Sequence, residues 1–159
     1  DVYIRELLQN AVDAIVAREK KEEGQEAFAG KINVELLSDE ELSFTDNGVG
    51  LSEEEIHRFL AIIGESSKKE LENGQLRSDY IGRFGIGLLS CFMVSDEIRV
   101  ITRSIHAQES FEWVGKPDGT YTLEKCEAAG EVGTSIILRA KEGAKEFFEY
   151  DKVLELLLH

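Results

Sequence analysis

The stretch Arg5-Glu6-Leu7-Leu8-Gln9-Asn10-Ala11-Val12-Asp13 sets three polar groups in a line on an otherwise apolar helix. At about 100° per residue, Glu6, Asn10 and Asp13 fall within roughly 60° of one another. Ile4, Leu7, Leu8, Ala11, Val12, Ala14, Ile15 and Val16 fill a wide arc of the remainder. A solvated helix face normally carries Lys and Glu, whereas Asn and Asp are poor helix-interior residues. Carboxylates and amides beside so much apolar surface need partners. A metal ion with a polar ligand would supply them; a narrow wet face on an ordinary amphipathic helix is the other reading.

Asp46 closes the run Leu42-Ser43-Phe44-Thr45-Asp46, where period-two alternation puts it on the face of Leu42 and Phe44. On a core face, such a carboxylate must accept hydrogen bonds, and the exocyclic amine of adenine would serve. A turn-forming Asp ahead of Asn47-Gly48 is the alternative. Gly48 and Gly50 either let backbone approach a flat ring or permit positive φ. Gly82, Gly85 and Gly87 precede a helix, where freed backbone amides can hold a phosphate chain. Their GxxGxG spacing is neither the dinucleotide GxGxxG nor a Walker A loop, and a plain Gly-rich turn also fits. Thr134 shares strand parity with Ile136 and Leu138, so its hydroxyl points into a site or is a satisfied core group. Lys68, with Ser66 and Ser67, either reaches phosphate or stands solvated. His57, His106 and His159 have no metal-ligand spacing and take no role.

The elements that must position these residues follow from periodicity. A helix is predicted over 2–21 and a surface loop over 22–30. Strands at 31–37 and 42–46 form a hairpin across Ser38-Asp39-Glu40-Glu41, and Asn47-Gly48-Val49-Gly50 breaks the second of them. Ser52 and Glu55 form a capping box that starts a second helix near Glu53, fading by Gly64. Residues 65–81 are polar with little period and read as a mobile segment. An apolar helix runs from the Gly82–Gly87 stretch to about Val94. Strands follow at 97–103, 109–114, 120–125 and 133–139, with Asp118-Gly119 as a turn, and a terminal helix at 147–158. The fold class is α+β, with helices over one face of a mostly antiparallel sheet.

Composition narrows the function classes. The 159 residues suit one domain with a real core. A net charge of −14 argues against a broad nucleic-acid surface, which needs a basic footprint. Cys91 and Cys126 lie outside any CxxC pattern and read as reduced thiols, which fits a cytosolic setting. No signal peptide and no membrane-length apolar run is present. The chain starts at Asp1 and goes almost straight into a helix, which reads as a piece of a longer protein.

Four blocks in this order resemble the GHKL ATPase superfamily, and within it the ninety-kilodalton heat-shock (HtpG-like) chaperones. Residues Arg5 to Ala14 are similar to that family's first nucleotide motif, and Asp46-Asn47-Gly48-Val49-Gly50-Leu51 to its second. Gly82-Arg83-Phe84-Gly85-Ile86-Gly87-Leu88-Leu89-Ser90-Cys91-Phe92-Met93-Val94-Ser95-Asp96 resembles its third, and Gly133-Thr134-Ser135 its fourth. The likeness runs over residues 1–159, Trp113 and the closing helix included.

The resemblance implies a two-layer sandwich that binds ATP or ADP between helices and sheet. Glu6 would be the general base that activates water, and Asn10 the ligand to a magnesium ion bridging the phosphates. Asp46 would bind the adenine amine, with Thr134 and water behind it, and Asp13 would support the ribose side through water. Gly48, Gly50, Leu51 and Leu88 would wall the pocket. Residues 65–81, with Ser67 and Lys68, would form a lid. Gly82, Phe84, Gly85, Ile86 and Gly87 would lie at its hinge and on the phosphates. A carboxylate that takes a proton from water and a hard cation with oxygen ligands are the usual parts of phosphoanhydride hydrolysis.

The chain departs from the family pattern at Gly64, where a basic residue is usual, and at Leu88, where an aromatic is usual. The resemblance also implies parts that residues 1–159 do not contain: an N-terminal strand and first helix, a middle domain with a phosphate-contacting arginine, and a C-terminal dimerisation domain. The expectation is therefore the N-terminal ATP-binding domain of a cytoplasmic, homodimeric chaperone. It would act on client proteins, without nucleic-acid or membrane partners. Three other readings compete. A mismatch-repair or topoisomerase ATPase shares Glu, Asn and Asp-x-Gly-x-Gly but works on DNA. A histidine-kinase catalytic domain generally lacks the water-activating glutamate. A nucleotide switch would bind without useful hydrolysis.

Overall fold

Helix α1 (Val2–Lys21) contains no Gly or Pro and is rich in Leu, Ala, Glu, Lys and Arg, the strong helix formers. Arg18, Lys20 and Lys21 in its last turn oppose the negative end of the helix dipole. Tyr3, Ile4, Leu7 and Ala11, spaced for one helical face, are buried. Val12 and Val16 belong to the apolar arc read from the sequence but stand 44% and 41% exposed. The arc is wider than the face that the described residues cover. The computed structural model describes residues 2–22, 28–57, 86–118, 120–126, 130–148, 153–155 and 157.

The strands are β1 (Ile32–Leu36), β2 (Glu41–Asp46), β3 (Ser95–Arg103), β4 (Ser110–Gly115), β5 (Tyr121–Cys126) and β6 (Gly133–Ala140). They form one sheet in the order β1-β2-β6-β3-β4-β5. Every pairing is antiparallel, as the α+β reading expects. Strand registers set the side chains of one face in transverse rows. The first joins Leu36, Leu42, Leu138 and Ile98; the second joins Val34, Phe44, Ile136, Val100 and Trp113. Leu42, Leu138 and Ile98 are fully buried and Phe44 nearly so. Burial of these side chains with those of α1 makes the core, at about 1.5–3 kcal/mol per large apolar residue. The third row is different. It runs Ile32, Asp46, Thr134, Thr102, Phe111, so three polar side chains occupy its middle.

The boundaries shift in places for local reasons. The hairpin between β1 and β2 closes at 37–40, because the Leu37 amide already bonds to the Glu41 carbonyl at 2.9 Å. Strand β3 starts at Ser95 rather than 97, with an irregular register between Ser95 and Glu97. The apolar helix read up to Val94 is a 3₁₀ helix, Ile86–Met93. Its end is tightened by the Val94 amide donating to the Cys91 carbonyl at 3.1 Å, and the Ser95 hydroxyl donates to the same oxygen at 2.6 Å.

The capping box is present. The Glu55 amide donates to Ser52 Oγ and the Ser52 amide to Glu55 Oε1, both at 3.2 Å, ahead of helical residues 53–57. A 3₁₀ helix at Lys145–Phe148 begins two residues before the stretch 147–158 read as the terminal helix, and helical residues 153–155 stand within that stretch. The expected mobile segment and lid at 65–81, with Gly64, lie outside the described residues, as does most of the second helix. Cys91 and Cys126 are both free thiols. Burial pushes the Cys91 thiol well up, with the Glu6 charge adding to it, so it stays protonated and inert. Among the described residues, no helix is long and apolar enough to cross a membrane.

Candidate functional site

Asp46 stands in the third row because alternation in β2 gives Leu42, Phe44 and Asp46 one face, and all three are buried. Burial raises its carboxyl from the usual aspartate range to about 6, against the opposing pull of the Gly48 and Thr134 backbone amides. The Gly48 amide donates to Asp46 Oδ1 at 2.8 Å. Thr134 faces Asp46 across β2 and β6, and Thr102 faces Thr134 across β6 and β3. The two threonine hydroxyls lie 2.8 Å apart.

The loop after β2 joins this row to the helix. Gly50 has φ of +71°, a conformation an L side chain rarely adopts, and a Cβ there would lie 1.9 Å from the Arg103 carbonyl oxygen. At Gly48 the close approach is to α1: a Cβ would lie 2.5 Å from the Ala14 Cβ and 2.6 Å from its carbonyl carbon. Asn47 ties the same loop to the start of β1. Its Oδ1 accepts from the Lys31 amide at 2.7 Å, and its Nδ2 donates to the Ala29 carbonyl at 2.9 Å.

Between α1, this loop and the sheet lies a pocket of about 290 Å³. Asn10, Asp13, Asp46, Gly50, Leu51, Leu88 and Thr134 line it, so all four sequence blocks converge there. Most of the remaining wall is apolar, including Leu7, Phe44, Val100 and Ile136. The charged residues among its described lining are Asp13, Asp46 and Glu55, all acids. A flat, largely apolar group with N–H donors at its deep end suits these walls.

Other expected site residues are placed less centrally. Glu6 is half-buried one turn before Asn10 on α1 and is not among the described lining. Asp13 is exposed at the rim, where Gln9 Nε2 donates to its Oδ1 at 2.9 Å. Gly48 serves the loop–helix contact. Ile86 and Gly87 belong to the 3₁₀ helix. Ser67, Lys68, Gly82, Phe84 and Gly85 lie outside the described residues. Sequence reasoning missed Thr102, whose parity with Ile98 and Val100 was the available signal. Glu55, read only as a cap, also lines the pocket.

Residues 2–126 match the family described as "Histidine kinase-, DNA gyrase B-, and HSP90-like ATPase". The chain is 33% identical to "Chaperone protein HtpG" of Clostridium botulinum strain Langeland over 98% of its own length. It is also 33% identical to the Clostridium acetobutylicum protein of that name over 98% of its length. Identity to the Vesicomyosocius okutanii one is 32% over 94%. The chain spans 26% of the length of each of these curated relatives.

Proposed function

Because the chain belongs to the family of histidine kinase-, DNA gyrase B- and HSP90-like ATPases, we propose that it is the N-terminal ATP-binding domain of an HtpG-like chaperone. On this reading ATP and ADP bind in the pocket between α1 and the sheet, and hydrolysis of ATP drives the chaperone cycle of the longer protein. The observation that carries it is Asp46: a buried carboxylate, held by the Gly48 amide at 2.8 Å, on the floor of a mostly apolar pocket. An ionised carboxylate there accepts from an exocyclic amine, and the apolar walls take the faces of the base.

Magnesium fits the donors present. Among the described residues no group of three His, Cys, Asp or Glu side chains is set to hold a metal. A hard cation bound mainly through phosphate oxygens and water needs only one or two protein oxygens. Asn10, on the pocket wall, would supply one through its side-chain oxygen. When bound, the ion neutralises phosphate charge.

Glu6 sits about 6 Å nearer the helix start than Asn10, and in this reading takes the proton from attacking water. Asp13 supports the ribose side through water. The 82–87 stretch, with Ser67 and Lys68, would in this reading contact the phosphates. Client proteins, a homodimer made through a C-terminal domain, and a cytoplasmic setting are the corresponding proposals for the whole protein. The similarity to HtpG proteins over nearly the whole chain favours this reading over the DNA-associated and histidine-kinase ones.

Steady-state phosphate release by the full-length protein tests the chemistry. Removing a general base lowers the rate ~100- to 10,000-fold. Glu6→Ala is therefore expected to lose that much hydrolysis while ADP affinity stays within a few fold. Parent-rate hydrolysis by Glu6→Ala would remove the proposed base and leave the nucleotide switch as the better account.

A further inference from the structure

Thr102 has no part in the sequence motifs, yet it is 2% exposed and stands in the polar row beside Thr134. Its hydroxyl has one proton and two lone pairs. The Leu51 amide donates to it at 2.9 Å, which fills one lone pair. Two groups compete for what remains: the Gly133 carbonyl oxygen at 3.2 Å and Thr134 Oγ1 at 2.8 Å.

Two proton arrangements are available. If Thr102 donates to Thr134, its second lone pair is idle and it gives nothing to Gly133. If Thr102 donates to the Gly133 carbonyl, the Thr134 proton fills the second lone pair and every position on Thr102 is used. Among the described groups the second arrangement has one more hydrogen bond, worth about 3- to 10-fold in population in a buried setting. The proton chain therefore runs from Thr134 to Thr102 to the Gly133 carbonyl. Thr134 turns only lone pairs toward the pocket.

We propose that Thr102 is a positioning residue that fixes the Thr134 hydroxyl as an acceptor, so that the pocket floor selects a base with an amino group over one with a carbonyl. This rests on the nucleotide reading above and deepens it. Asp46, paired in register with Thr134, is also an acceptor. The 6-amino group of adenine meets these two acceptors with donors. The 6-oxo group of hypoxanthine meets them with lone pairs. Without Thr102's hydroxyl, Thr134 can rotate and donate to that carbonyl.

The test is calorimetric binding of ADP and IDP, each with magnesium, to the full-length protein and its variants. The parent is expected to prefer ADP. Thr102→Val is expected to narrow the ADP-to-IDP ratio about 3- to 10-fold, the value of one hydrogen bond. Thr102→Ser keeps the hydroxyl and is expected to retain the parent ratio, which a purely structural role would not require. Thr134→Val leaves Thr102 and its bond to the Leu51 amide in place, and is also expected to narrow the ratio. It serves where Thr102→Val fails to fold. An unchanged ratio in Thr102→Val or in Thr134→Val, in protein that still binds ADP, overturns the proposal. A parent protein that binds neither nucleotide overturns the nucleotide reading beneath it.

Discussion

Gly48 lies so close to Ala14 that a Cβ on it would sit 2.5 Å from the Ala14 Cβ and 2.9 Å from the Ala14 carbonyl oxygen. The Val49 amide donates to that carbonyl at 2.9 Å, and the Ile105 amide donates to the Val49 carbonyl at 2.9 Å. The loop after β2 is thereby held between the middle of α1 and the end of β3. This contact brings Asn10 and Asp13 on the helix to the same pocket as Asp46 on the sheet.

Gly48→Ala must push α1 and the loop apart, since the clashing atoms include helix backbone that cannot rotate away. Overpacking of this kind costs about 1–3 kcal/mol, and we expect that loss in urea unfolding. Gly130→Ala, whose new Cβ would meet only Ser110 Oγ, at 3.7 Å, among the described residues, should stay within about 0.5 kcal/mol. Equal stabilities for the two variants would show that the loop–helix contact is slack.

Asp46 gives a pH dependence whose sign is fixed. Its folded value of about 6 is raised above the usual 3.8. Its contribution to the stability of the ligand-free fold is therefore full below about pH 4 and is lost as pH rises through about 6. Asp46→Asn carries no charge to desolvate and should be more stable than the parent at pH 7.5, by about 1–3 kcal/mol. The difference should shrink toward pH 4. ADP binding should follow the opposite course. A donor ligand favours the ionised form, so affinity falls below about pH 6, approaching tenfold per unit. A parent affinity flat from pH 5 to 7.5 would contradict this.

Arg18 fastens the far end of α1. Its Nη1 donates to the Asn47 carbonyl at 2.8 Å, its Nε to Glu22 Oε1 at 3.2 Å, and its guanidinium lies 4.5 Å from the centroid of the Phe28 ring. Arg18→Ala should cost about 1.5–3 kcal/mol. Arg18→Lys should recover little of it, because an ammonium lacks the planar fork and stacks less well. Thermal melts of the two variants decide this: full recovery by Lys would mean that charge alone matters.

The helix and strands were legible because their apolar residues repeat at 3.6 and 2. Parity in β2 and β6 correctly turned Asp46 and Thr134 inward before any partner was known. Thr102 had the same parity in β3, but a threonine in a strand is unremarkable as a β-former. Its importance comes from standing opposite Thr134, and register between strands far apart in the chain is not written locally. The sequence leaves Gly48 open between approach to a flat ring and positive φ, and it does not say that the close neighbour is Ala14 of α1. Periodicity does not distinguish the 3₁₀ helix from an ordinary one because Ile86–Met93 is apolar almost all round. Val12 and Val16 show the converse limit: an apolar arc states what can be buried, not how much of it the described elements cover.

The most direct test of the account is a calorimetric titration of ADP with magnesium into the parent protein and Asp46→Asn at pH 7.5. We expect saturable one-site binding by the parent. Loss of a charge-assisted hydrogen bond, about 1.5–3 kcal/mol, should weaken binding by about 10- to 100-fold in the variant, although the variant is expected to be the more stable fold. Unchanged ADP affinity in Asp46→Asn would contradict the assignment of this pocket to the adenine base.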